Sequence, residues 1–335
     1  MQLLISAPVG LLPVLCFLLG LLYLDSYKLV RLNSVLWSIA AGASVAVASY
    51  FCNDFLLGHL ALDLRTYTRY VSPLVEEALK AAVVLYLFRA GRIGFLVDAA
   101  IMGFAIGAGF AVAENFYFLY SGDPANVALW IVRGFGTAVM HGGVTAIFAI
   151  ISQAVTERQM KVGLLYCLPG LAAAVVLHSL FNHFVLPPFA MTASVLIVLP
   201  PMLYVVFTMS AQRMHEWLEL DFDADAGLLH QINSGEFADS NVGRFLHDLR
   251  SRFDGPVLAD MVCYLRIYTE LALRAKGLLL MREHGLDIPA GERTQEKFAE
   301  LEYLERSIGK TGLLALRPLL HMTRKDLWQL NVLET

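Results

Sequence analysis

The sequence predicts an all-α fold: a polytopic membrane helix bundle of about seven transmembrane helices over residues 1–211, then a soluble helical domain over 212–335. Three observations carry this reading. Hydrophobic residues make up 57% of the chain and charged residues only 16%, against about 25% charged in an average soluble domain. Apolar segments long enough to cross about 30 Å of hydrocarbon recur through the first two thirds of the chain. The charges crowd toward the C-terminus, where helix start and stop signals replace continuous apolarity. A mean hydropathy of +0.60 fits a protein that meets a lipid bilayer.

The expected spans lie at about 3–24, 35–58, 70–88, 95–120, 127–155, 162–185 and 189–211. No Lys or Arg precedes the first and no small-residue cleavage site stands out, so it reads as a span, not a signal peptide. With the N-terminus outside, the inner loops hold Lys28, Arg31, Arg89, Arg92, Arg158, Lys161 and Arg213, and the outer loops only Arg65 and Arg69. The positive-inside rule therefore places the C-terminal domain in the cytoplasm. Within that domain Asp239-Ser240 caps a helix to about Phe253, Pro256 opens one toward Gly285, and Thr294 precedes one ending near Gly309. A short last helix is expected from Thr323, with Asp326 as an acidic capping partner. The apolar positions of the 256–284 segment lie on more than one side, which fits a buried bundle helix or the face of a homo-oligomer.

Several chemistries are set aside early. The net charge of −4 and the lack of a basic run give no reason to expect nucleic acid. Cys16, Cys52, Cys167 and Cys263 are far apart with no CxxC spacing, so neither a disulfide framework nor a thiolate metal site is expected. From Glu216 onward no phosphate loop, nucleophile elbow, metal motif or repeat is found.

What demands explanation is polarity inside apolar segments. The third span carries Glu76, Glu77 and Lys80. Three ionised side chains near a bilayer centre cost about 7–10 kcal/mol on insertion scales unless they pair or neutralise. On a helix Lys80 falls roughly 40° from Glu76 and 60° from Glu77, so pairing is built in. The fourth span places Gly103, Gly107 and Ala111 in a small-residue stripe, with Glu114 about 20° from it, which aims the acid at a protein neighbour. Glu114 as an interfacial group near the water boundary is the competing reading. In the fifth span His141 lies between Thr137 and Thr145 on one face, and Arg133 must snorkel or pair. In the sixth, His178 and Asn182 share a face with Gly170 and Ala174, while His183 points elsewhere. A lone His on an apolar helix is often only a bonded core residue; this many polar groups on neighbouring helices point to one shared site.

The ordered set Glu-Glu-x-x-Lys, a Gly-rich helix ending in Glu-Asn, a helix with a single His, and His-x-x-x-Asn resembles the PrsW family of intramembrane proteases. More distantly it is similar to the CAAX prenyl endopeptidase and bacteriocin-processing superfamily. The resemblance spans about residues 70–185 and leaves the tail uncovered; where a Tyr is expected three residues after Asn115, this chain has Phe118, with Tyr117 adjacent. It implies a multi-span endopeptidase of the bacterial cytoplasmic membrane whose substrate is a membrane-anchored protein, an anti-sigma factor in a stress response for the PrsW type. It also places Glu76, Glu77, Glu114, His141, His178 and Asn182 in or near the active site.

Peptide hydrolysis needs a water deprotonated as it attacks, a stabilised oxyanion and a protonated leaving amine. Glu76 suits the general base and Glu77 an acid that orients Lys80 or the water, with these two exchangeable. His178 suits water orientation and Asn182 oxyanion donation. A metal is the alternative: Glu76, Glu114, His141 and His178 can bind Zn²⁺ with an open water position, leaving a second Glu as base, though the lack of HExxH means that zinc is not demanded. A proton- or ion-coupled transporter also buries Glu, Lys and His, but shows inverted repeats that are not seen here. A non-catalytic receptor or scaffold would account for the tail but not for carboxylates facing His. With the N-terminus outside, Glu76, Glu114, His178 and Asn182 fall toward the outer face and His141 near mid-membrane, so the site opens outward.

Overall fold

The computed structural model describes residues 2–121, 126–157, 163–234, 236–286, 288, 291, 293–320, 328 and 333. Arg158, Lys161 and the short helix expected from Thr323 lie outside them. Every element among the described residues is helical. The chain divides into two compact units, Met1–Ser210 and Ala211–Thr335.

The first unit begins with α1 (Gln2–Leu24) and α2 (Leu32–His59). A short α3 (Leu64–Thr66) leads through a π-helical turn at Tyr67–Val71 into α4 (Ser72–Arg89). α5 (Leu96–Ser121) comes next, then α6 (Val127–Ile131), a second π turn at Val132–Thr137 and α7 (Ala138–Thr156). α8 (Leu164–Asn182) and α9 (Pro188–Ser234) complete the run. Single π turns interrupt helices most often at functional sites, and these two lead directly into the helices that carry Glu76, Glu77 and His141.

Among the described residues, six helical segments are long and apolar enough to cross a membrane: Ile5–Leu24, Leu32–His59, Leu96–Ser121, Val127–Thr156, Leu164–Asn182 and Pro188–Ser234. The seventh expected span exists as α4, but Glu76, Glu77, Lys80 and Arg89 set its composition apart from the six. Its polarity is inverted relative to a soluble helix: Glu76, Glu77 and Lys80 are buried, whereas Leu74 and Tyr86 are exposed. That is how a charged helix is accommodated beside lipid.

α5 forms the centre of this unit, buried along most of its length. Its small residues explain why. A Cβ at Gly103 would lie 2.7 Å from the Thr145 carbonyl oxygen, and one at Gly107 would collide with the His141 carbonyl. α5 and α7 therefore approach at backbone distance, as the stripe predicts. On another face, a Cβ at Gly109 would collide with the Ile39 carbonyl and one at Gly42 with that of Ile106, so α2 and α5 cross there.

The last expected span ends near 211 by its apolarity, but α9 continues to Ser234. Between Arg213 and Gly227 no proline or glycine interrupts good helix formers, so nothing stops the helix where its apolarity ends. In the second unit, α10 (Asn241–Asp248) is capped by Ser240, whose Oγ accepts from the Gly243 N–H at 2.9 Å. α11 (Gly255–Glu283) ends before Gly285 at φ 78°, and α12 (Arg293–Leu316) is kinked at Gly309 at φ 69°. The several apolar sides of α11 are covered within its own unit: Met261, Leu265 and Leu271 pack in one core with Leu301, Leu304 and Ile308 of α12. The bundle reading thus accounts for them. Buried Lys276 pairs with Asp225 at 2.6 Å and lies 5.2 Å from the Trp217 ring. Burial, then the neighbouring Glu305 carboxylate, pushes the Tyr264 phenol well above its ordinary pKa, so it stays protonated and donates to Glu305 Oε1 at 3.0 Å.

Candidate active site

The site is assembled on α4. Pro73 opens this helix, where its missing N–H costs nothing. One turn later Glu77 Oε1 accepts from Lys80 Nζ at 2.8 Å and from His178 Nδ1 at 2.8 Å. Lys80 Nζ also donates to His141 Nδ1 at 3.0 Å and stands 4.0 Å from the Phe110 ring centroid. Glu77, Lys80, His141 and His178 are all buried, so α4, α7 and α8 are tied through one ionic cluster away from solvent. The imidazoles of His141 and His178 meet edge to face, 4.8 Å between centroids.

These contacts assign the tautomers. The Glu77 carboxylate fixes the His178 proton on Nδ1, which leaves the Nε2 lone pair facing Glu76. Glu76 Oε2 lies 3.8 Å from that nitrogen, too far for a hydrogen bond. Its other oxygen, Oε1, accepts from Ser72 Oγ at 2.6 Å and lies 3.5 Å from Asn53 Nδ2. Asn53 is held in turn by the Tyr67 hydroxyl, which donates to its Oδ1 at 2.9 Å.

Glu114, aimed inward as its place beside the glycine stripe predicts, puts Oε2 3.4 Å from His141 Nε2 and 3.4 Å from Arg133 Nη2. Arg133 is paired rather than snorkelling: its Nε donates to Asn115 Oδ1 at 2.9 Å and its guanidinium stacks 3.8 Å from the Phe118 ring. Phe118 thus carries the arginine in the place where a tyrosine was expected, and Tyr117 faces Tyr50 instead.

Glu76, Glu77, His141 and His178 come together, and Glu114 joins them through His141. Asn182 does not. Its side-chain amide donates to the Thr68 carbonyl at 2.9 Å, pinning the end of α8 to the first π turn, so the expected oxyanion donor is directed away from the carboxylates. Helical spacing places Asn182 on the His178 face but one turn further along the axis, level with a different neighbour. Asn53, Ser72 and Tyr67 are functional neighbours that the sequence reading missed; a lone Asn in the apolar 35–58 segment was the available signal.

A family model described as PrsW family intramembrane metalloprotease matches residues 31–210, more than half of the 335-residue chain. The chain belongs to that family. No curated protein and no solved structure matches it. It is therefore an integral membrane protein and an intramembrane protease, acting on a membrane-embedded protein substrate within the lipid bilayer, and the transporter and receptor readings fall away.

Family membership implies a metal, and the side chains fit one once His141 exchanges its Lys80 contact at Nδ1 or its Glu114 contact at Nε2 for the metal. Glu76, His141 and His178 each offer one ligand atom, all within 4.8 Å of one another and all buried. Two imidazoles and one carboxylate are the His₂Glu donor set of catalytic zinc sites. Ligands of a tetrahedral zinc lie about 3.4 Å apart, so the cluster is slightly open relative to a closed shell. Glu77 on His178 Nδ1 stands where an outer carboxylate would orient an imidazole bound to a metal through Nε2. Glu114, also expected among the ligands, pairs with Arg133 and stays outside this group.

Proposed function

We propose that Glu76, His141 and His178 hold the catalytic metal, that Glu114 is the general base, and that Glu77 and Lys80 position this set. The observation that carries the proposal is the convergence of the three ligand atoms from α4, α7 and α8 within 4.8 Å. When bound, a divalent metal such as Zn²⁺ supplies Lewis acidity, polarising a carbonyl and acidifying a water. The Glu114 carboxylate takes the proton lost as the water oxygen bonds to the scissile carbonyl carbon. It returns that proton to the amide nitrogen as the C–N bond breaks. Arg133, ion-paired with Glu114 at 3.4 Å, holds that carboxylate in place beside His141. A second reading rests on the 3.8 Å separation of His178 Nε2 and Glu76 Oε2, which a single water can bridge. There Glu76 is the base, oriented by Ser72 and Asn53, and no metal is needed.

The substrate in this proposal is a single-span, membrane-anchored regulatory protein, an anti-sigma factor of a stress response being the class the family suggests. The chain sits in the bacterial cytoplasmic membrane with its N-terminus outside, its site opening outward and residues 212–335 forming a cytoplasmic domain of regulatory or structural role. The excess of Lys and Arg in the inner loops supports this orientation.

The test compares membrane proteomes of cells carrying the wild-type chain, Glu76→Gln or His178→Ala, together with the metal content of each purified protein. Fragments of single-span proteins are expected only with wild type, along with about one metal per chain that both variants lose. Undiminished cleavage in either variant would sink the assignment; cleavage that survives a chelator would select the metal-free reading.

A further inference from the structure

We propose that the cleft between α2 and α5 is the substrate subsite, taking a bulky apolar residue beside the scissile bond of an unwound membrane segment that enters sideways past the Tyr50–Tyr117 pair. The inference rests on the protease reading and adds to it where the substrate lies and which side chain it presents.

The cleft has a volume of about 530 Å³ and lies between residues 46–57 of α2 and 110–118 of α5, past the Gly42–Gly109 crossing. Glu76 and Glu114 both line it, so whatever fills the cleft touches the reacting groups. The remaining walls are mostly aliphatic and aromatic, including Val47, Leu57, Phe110 and Ala113. Its charged lining residues are acids, Asp54 as well as the two glutamates, with no Lys or Arg among the described ones. Such a cleft accepts an apolar side chain and repels an acidic one. Tyr50 and Tyr117, both in its lining, pack on each other with ring centroids 5.3 Å apart, and each is about half exposed, which marks the lipid-facing edge of the cleft. The adjoining surface of α2 exposes Val47 at 57%, Phe51 at 65% and Phe55 at 61%, an apolar face suited to lipid, so a bilayer-resident segment reaches this edge without passing through water.

An unwound peptide in this setting must find hydrogen-bond partners within the protein. Asn53 supplies them. Its amide nitrogen is already shared among Ser49 Oγ at 3.2 Å, Ser72 Oγ at 3.1 Å and Glu76 Oε1 at 3.5 Å, and can pass to a substrate carbonyl.

Ala46→Trp and Ala113→Trp fill the cleft while leaving every carboxylate and imidazole in place. Leu165→Trp, at a 77%-exposed position on α8, is the control. The probes are the single-span proteins whose fragments appear with wild type in the proteome comparison. Both cleft variants are expected to lower by at least 10-fold the yield of fragments cut beside Leu, Ile, Met or Phe, to keep cuts beside Gly or Ala, and to retain the wild-type unfolding temperature; the control cuts as wild type does. Should either tryptophan lower the unfolding temperature, p-benzoylphenylalanine at Val47 in the otherwise wild-type chain reads the same point, by an adduct to the substrate's own membrane segment beside the cut. Equal loss for all flanking residues, unchanged cleavage in folded cleft variants, or adducts to lipid alone would overturn the subsite. Absence of fragments with wild type would instead overturn the protease reading and this inference with it.

Discussion

Lys80 is a fully buried cation with Glu77 as its anionic partner at 2.8 Å, His141 and the Phe110 ring completing its surroundings. Removing one partner of such a pair costs about 3–5 kcal/mol, because the other charge stays buried. Glu77→Gln keeps an acceptor and should fall at the low end, about 3 kcal/mol, read as a lowered unfolding midpoint in detergent. Adding Lys80→Met should recover most of that loss. It should not recover metal affinity, expected to fall about 10–100-fold in both variants, since the carboxylate on His178 Nδ1 is missing from each. A competition titration with a chromophoric chelator reads this, and affinity restored by Lys80→Met would remove Glu77 from the positioning role. Asn182→Ala separates two accounts of another residue. Directed at the Thr68 carbonyl, the amide contributes about 1 kcal/mol of stability, so cleavage should stay within a few-fold of wild type. An oxyanion donor would lose about 10²–10³ in rate.

At the level of helices, the face of each polar residue was legible, as was the Lys80–Glu77 pair within one helix, but partners on other helices were not. Apolar periodicity and the Gly103–Gly107 stripe fix the azimuth of Glu114, and the structure places the acid against His141 as that azimuth demands. Depth along the axis and the identity of the facing helix depend on tertiary packing. Hence the face of Asn182 was legible while its bond to the Thr68 carbonyl was not, and the Asn53–Tyr67–Ser72–Glu76 chain, which joins α2 to the start of α4, left no periodic trace. The π turns at 67–71 and 132–137 add to this, since each rotates the downstream residues relative to an ideal helical wheel. The close α5–α7 approach is testable directly. Gly107→Ala drives a methyl into the His141 carbonyl, and backbone cannot move aside as a side-chain tip can. About 1–3 kcal/mol of stability should be lost, with metal affinity falling because His141 is displaced. Gly20→Ala, with open space around the added carbon, should be neutral or slightly stabilising. If Gly107→Ala unfolds and binds metal as wild type does, the contact is softer than its geometry implies.

For the molecule as a whole, composition predicted a membrane part and a soluble part; the structure has two compact units with separate cores, α5 and its neighbours organising Met1–Ser210 and α11 and α12 organising Ala211–Thr335. What composition could not reveal is that α9 extends to Ser234, well past the end of its apolar stretch, because helix propensity continues where hydropathy stops. Orientation is the remaining property at this scale, and it decides from which side a substrate is cut. The orientation proposed from the positive-inside count has the C-terminal unit in the cytoplasm and the end of α5 outside. Cys263 is exposed on α11 and serves as a native probe once Cys16, Cys52 and Cys167 are replaced by serine. A membrane-impermeant maleimide should leave Cys263 unlabelled in intact cells and label it after permeabilisation. A cysteine placed at exposed Ser121, the last residue of α5, in a chain also carrying Cys263→Ser, should react in intact cells. The reverse pattern would invert the chain and open the site toward the cytoplasm. Glu76, His141 and His178 would remain together in either case, since their convergence depends on helix packing and not on which face of the bilayer they approach.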